Sequence, residues 1–93
     1  MSGLNRFLSF NFDLKMIYRN VAISKLLGER LRQVRISKGL TQEQLWLESG
    51  IAISQIGKIE RGVANPTIST VAALAKTLRV SFDTLIPPDS FIV

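Results

Sequence analysis

Hydrophobic positions recur along this chain with two different periods. Between residues 8 and 16, Leu8, Phe10, Phe12, Leu14 and Met16 alternate with Ser9, Asn11, Asp13 and Lys15. A period of two is the mark of a half-buried strand. A lone strand is unstable in water, so this arm either pairs with something or is a disordered tail. The apolar end Phe91, Ile92 and Val93, beyond the helix-stopping pair Pro87 and Pro88, is one candidate partner; a second subunit is another.

From about Ile23 to Ile86 the period lengthens to 3.6 residues. Leu27, Leu31 and Val34 mark one face of a first helix that stops at Lys38 and Gly39. Thr41 opens a second helix, and Gln44 three residues on completes a capping-box pattern. Leu45 points inward from it, with Trp46 a further candidate, and Gly50 ends it. A third helix carries Ile53, Ile56 and Ile59 and stops at Gly62, which suits a left-handed position. Asn65-Pro66-Thr67 is a turn into a fourth helix capped by Thr67, with Ile68, Val71, Leu74, Ala75 and Leu78 on its inner face. Ser81 caps a short fifth helix through Phe82, Leu85 and Ile86. The expected fold is all-α: a compact five-helix domain over residues 23–86, an N-terminal arm over 1–22 with a possible β-strand, and a tail over 87–93.

Composition narrows the chemistry. Ninety-three residues make one small domain. The longest apolar run, Val71 to Ala75, is far short of the roughly 18 residues of a membrane span. No basic start followed by an apolar stretch suggests a signal peptide, so a cytoplasmic protein is expected. With no cysteine and no histidine, thiolate zinc sites, cysteine nucleophiles and imidazole bases are excluded. The seven carboxylates are thinly spread, so neither a metal, a cofactor nor an enzymatic activity is expected. Twelve Lys and Arg against those seven acids give a net charge of +5, which points to a polyanionic partner.

The spacing from Thr41 to Gly62 makes that partner specific. Two short helices joined by a turn of three or four residues holding Gly50 have the geometry of a helix-turn-helix, whose second helix can enter the DNA major groove. The runs GLTQEQL, SGI, ISQIGKIERG and NPTISTVAALAKTLRVSFDTL resemble the Cro/lambda-repressor (Xre-like) family of transcriptional regulators over about Leu26 to Ile86. Thr41-Gln42-Glu43 and Ile59-Glu60-Arg61-Gly62 carry the likeness most specifically. It implies five helices, operator DNA as the partner, homodimeric binding and, for a bound regulator, a place on the nucleoid.

Roles follow for individual residues. Gln42, at the first position of its helix, meets free amides and the positive dipole end, and the resemblance likewise implies that it contacts the DNA backbone. Thr41 and Arg61 are further phosphate candidates. Ile53, Ser54, Gln55 and Lys58 should face the groove: Gln55 can pair with adenine, Lys58 with guanine acceptors, and Ile53 with a thymine methyl. Between Arg19 and Lys38 six positive residues stand against one acid, Glu29, and some of them should flank the groove. Arg35 and Glu60 occupy positions where the family commonly places an ion pair that locks the first helix to the third.

Three positions depart from the family pattern. Trp46 stands where a small residue is usual. Gly57, in mid-helix, costs about 1 kcal/mol against alanine and is a candidate for giving the indole room. Ala52, at the third helix's cap position, has no side-chain acceptor. Dimer contacts are expected from Phe82, Leu85 and the tail to Val93, with the N-terminal arm adding to them. The alternative reading is a protein-interaction module, such as the antitoxin of a toxin–antitoxin pair, favoured by the Phe-rich arm.

Overall fold

The computed structural model describes residues 2–88. They form α1 (Ser2–Ser37), α2 (Gln42–Ser49), α3 (Ile53–Glu60), α4 (Ile68–Leu78) and α5 (Phe82–Leu85), and among the described residues there is no strand. The expected strand is thus corrected: residues 8–16 are part of α1. A helical period overlaps the end of that stretch, since Leu14, Ile17 and Val21 are spaced three and four apart on one face. A helix bonds its own backbone, whereas a strand needs a neighbour. The tail Phe91–Val93 lies outside the described residues.

Local chemistry sets the breaks between helices. Thr41 Oγ1 accepts from the Gln44 amide at 3.0 Å while Gln44 Oε1 accepts from the Thr41 amide at 2.8 Å, a complete capping box. Thr67 Oγ1 accepts from the Thr70 amide at 3.1 Å and starts α4. Gly39, Gly50 and Gly62 take φ values of 73°, 77° and 75°, the left-handed region a helix end uses. Ser81 does not cap α5 by its side chain; its hydroxyl meets that of Thr84 at 3.1 Å instead.

One core joins all five helices. It comprises Leu27 and Leu31 of α1, Leu45 of α2, Ile56 and Ile59 of α3, Val71, Leu74, Ala75 and Leu78 of α4, and Leu85 of α5. Ile68 is exposed, contrary to the inner-face reading: it is the first residue of α4, and the buried positions of that helix begin one turn later at Val71. Leu85 is fully buried and used within the chain, so the expectation that it forms a dimer contact is corrected; Phe82 packs against the core and is partly buried.

The core engages only the C-terminal part of α1. A compact chain of this length has a radius of gyration of about 12 Å; here it is 16.0 Å, with a longest extent of 56 Å. The 36 residues of α1 make a rod of about 54 Å at 1.5 Å per residue. Leu14, Ile17 and Val21 form an exposed stripe on its outlying part.

Candidate nucleic-acid interface

Gly50, Ile51 and Ala52 form the three-residue turn between α2 and α3. Gly50 closes α2 by donating its amide to the Trp46 carbonyl at 2.8 Å. α3 then begins without a side-chain cap at Ala52. Its inner face is fixed by Ile56 and Ile59, both fully buried, and Gly57 is buried beside them. On the outer edge, Ile53, Ser54 and Lys58 are exposed and Gln55 is half-buried. The four candidates for reading bases therefore share the solvent-facing part of one short helix, clear of the core. Among the described residues, Lys58 has no acidic partner.

The phosphate candidates flank this edge. Thr41 is exposed, and its hydroxyl oxygen is already accepting from Gln44. Arg61, just past α3, is exposed. Gln42 is half-buried, and its side chain is engaged: Nε2 donates to Glu60 Oε1 at 3.0 Å.

Glu60 is the centre of a three-helix polar cluster. Arg35 Nε donates to Glu60 Oε2 at 2.6 Å and Arg35 Nη2 to Glu60 Oε1 at 3.0 Å, a bidentate pair whose side chains are 12% and 4% exposed. The third guanidinium nitrogen, Nη1, donates to the Leu40 carbonyl at 2.8 Å and so also ties down the loop after α1. Every buried polar side-chain atom among the described residues has a partner, as a low-dielectric site requires. The hydrogen bonds to Glu60 raise the pKa of Arg35 above its ordinary value; desolvation opposes them and the carboxylate's charge adds to them. A raised folded-state pKa gives a contribution fully present below the arginine's ordinary pKa and lost only as pH rises beyond it. Arg35 therefore carries no stability change through neutral pH.

Two sequence readings need correction here. Trp46 is 40% exposed, so the indole turns outward at the surface of α2. Gly57 does not make room for it: a Cβ at Gly57 would meet Arg61 Nη1 at 3.2 Å and Gln42 Oε1 at 3.9 Å. Sequence reasoning also missed the link from Gln42 to Glu60. The two are 18 positions apart, and no local pattern signals a contact that only the crossing of α2 and α3 creates.

The HTH_3 helix-turn-helix family matches residues 31–85, more than half of the chain and the whole span of this site. The chain belongs to that family. Among its relatives is the HTH-type transcriptional regulator y4dJ of Sinorhizobium fredii, 41% identical over 64 residues, which cover 69% of this chain and 83% of that protein. The control protein C.SmaI of Serratia marcescens is also 41% identical over 64 residues, covering 69% and 76% respectively. Of solved structures, the restriction-modification controller protein C.AhdI of Aeromonas hydrophila superposes with a TM-score of 0.65 at 36% identity, over 68% of this chain and 96% of that one. An HTH_3 family transcriptional regulator from Vibrio cholerae gives 0.71 at 29% identity, over 78% of this chain and 41% of its own. The resemblance to Cro/lambda-repressor-type regulators, and with it the all-α fold and the DNA-binding regulator, is borne out for this family member. Among the described residues no helix is long and apolar enough to cross a membrane, and no group of three or more acidic side chains could hold a metal ion.

Proposed function

We propose that this helix-turn-helix protein is a cytoplasmic, non-enzymatic transcriptional regulator that reads an operator in double-stranded DNA by placing α3 in the major groove. The observation that carries the reading is the two-sided character of α3: Ile56 and Ile59 are buried, Ser54 and Lys58 are exposed on the opposite edge, and Ile53 is exposed at the helix's first residue. An eight-residue helix presenting its N-terminal turn in this way fits the groove. Ile53, Ser54, Gln55 and Lys58 contact base edges, and Thr41, Gln42 and Arg61 hold the flanking phosphates and set the register.

The regulator acts as a homodimer. A single module buries only about 600–1,000 Å² on DNA, and two half-sites multiply its affinity. What supports a surface for the pairing is the exposed stripe of Leu14, Ile17 and Val21 on α1. A bound dimer is associated with the nucleoid.

Selection of bound sequences from random duplex DNA tests the reading, yielding a preferred motif with two-fold symmetry. Lys58→Ala then weakens binding to the preferred duplex by about 1–3 kcal/mol while leaving random DNA less affected. Equal losses on both would reassign Lys58 to the backbone, and failure to enrich any sequence would end the sequence-specific reading.

A further inference from the structure

The bidentate pair with Arg35 accounts for two of the three hydrogen bonds that Glu60 accepts; the third comes from a different helix, from Gln42. A carboxylate only accepts hydrogen bonds, so the end of the Gln42 amide that faces Glu60 must be its NH2 group. This contact removes the ambiguity between the two amide orientations. One Nε2 proton is taken by Glu60 Oε1 at 3.0 Å; the second has no acceptor among the described residues. Gln42 Oε1, on the other end, lies within 4 Å of the position a Cβ would occupy on Gly57, and Arg61 Nη1 lies within 4 Å of the same point. The Gln42 side chain of α2 and the Arg61 guanidinium after α3 therefore lie together over a stretch of bare backbone at the edge of the reading helix, with the amide oxygen toward Gly57 and the NH2 toward Glu60.

From this geometry we infer that Glu60 is a positioning residue for DNA binding. Anchored by Arg35, it holds the Gln42 amide in the orientation that leaves an N–H free for a backbone phosphate, beside Arg61. The inference rests on the DNA-binding reading above and adds to it a role for a side chain that is itself too buried to touch DNA, at 4% exposure. Its physical basis is preorganisation: an amide already fixed by a carboxylate loses less freedom when the phosphate arrives.

A double-mutant cycle on the full chain distinguishes this from a merely structural ion pair. Wild type, Gln42→Ala, Glu60→Gln and the double variant are titrated with one fixed 30-base-pair duplex of random sequence across a salt series, at a temperature where circular dichroism shows each to be folded. A phosphate contact needs no specific sequence, so this probe suffices. Gln42→Ala is expected to lose about tenfold in affinity, the factor of one charge-assisted hydrogen bond. Glu60→Gln is expected to lose a comparable factor alone and little more once Gln42 is gone. Equal losses from Glu60→Gln in both backgrounds overturn the inference while leaving the DNA-binding reading intact. Absence of salt-dependent binding by the wild type overturns that reading itself. Should Glu60→Gln lose its helical signal, Glu60→Asp, which keeps the negative charge beside Arg35 but draws the carboxylate back by one methylene, takes its place in the same cycle.

Discussion

Gly28 and Gly57 are both glycines inside helices, and replacing each with alanine brings the same intrinsic gain, about 1 kcal/mol of helix propensity. Their surroundings give the two substitutions opposite signs. At Gly28, where α1 crosses the end of α3, a Cβ would stand 2.8 Å from the Glu60 carbonyl oxygen and closer still to that of Ile59. An ordinary carbon–oxygen contact is about 3.3 Å or more. Since both obstacles are backbone, relief requires α1 and α3 to part, which loosens Leu27, Leu31 and Ile59 and disturbs the carboxylate held by Arg35. Overpacking of this kind costs about 1–3 kcal/mol, and the backbone obstacle places Gly28→Ala at the upper end. After the propensity gain, the net loss is about 2 kcal/mol, or a fall in Tm of about 8–16 °C for a domain of this size. At Gly57 the nearest atom is the end of a flexible side chain, Arg61 Nη1 at 3.2 Å, which swings aside at little cost. Gly57→Ala should therefore raise Tm by about 4 °C. Thermal unfolding of the two variants followed by circular dichroism measures both. A Gly28→Ala protein as stable as wild type would refute the close-approach reasoning, and so would a shift of the same sign at both sites.

Other expectations concern the polar cluster, the α2 cap and the outlying stripe. Glu60→Gln leaves Arg35 short of a counter-charge in a part-buried site; the loss should be about 3 kcal/mol, visible as a reduced urea midpoint with an unchanged slope. Thr41→Ala removes the hydroxyl half of the capping box and should cost about 1 kcal/mol by the same urea titration, with a loss below about 0.3 kcal/mol counting against the cap. In the dimer reading, Ile17→Lys places a charge in the stripe of Leu14, Ile17 and Val21 and should shift sedimentation to the monomer without lowering Tm. An unchanged sedimentation coefficient would remove that stripe as the contact.

Much of the fold was legible because its signals are local. Thr41 with Gln44, Thr67 with Thr70, and the glycines at 39, 50 and 62 declare helix ends through chemistry spanning three or four residues. Leu27, Leu31, Ile56, Ile59 and Leu74 follow from periodicity alone. The arm was misread because Leu8 to Met16 satisfies a period of two, while the helical spacing of Leu14, Ile17 and Val21 only becomes plain over a longer window. Ile68 and Trp46 have hydrophobic side chains whose fate depends on where the core ends, which spacing does not encode. The candidate site divides in the same way. The exposed edge of α3 could be read from the period of its isoleucines, and the pairing of Arg35 with Glu60 came from family likeness. Neither could reveal that Gln42 joins them or that Gly57 lies under Arg61. Both depend on how helices cross.

The bare start of α3 has a consequence for how this domain can be improved. Ala52 offers no acceptor, so the amides of Ile53, Ser54 and Gln55 carry no protein partner among the described residues. Aspartate at position 52 would satisfy one of them and add about 1 kcal/mol to stability. In the proposed binding mode it would also set a negative charge at the end of the helix that approaches DNA, opposing the field that draws it in. Thermostability and grip on DNA therefore compete at a single methyl group, and a search for hardier variants that scores melting temperature alone would select the weaker regulator.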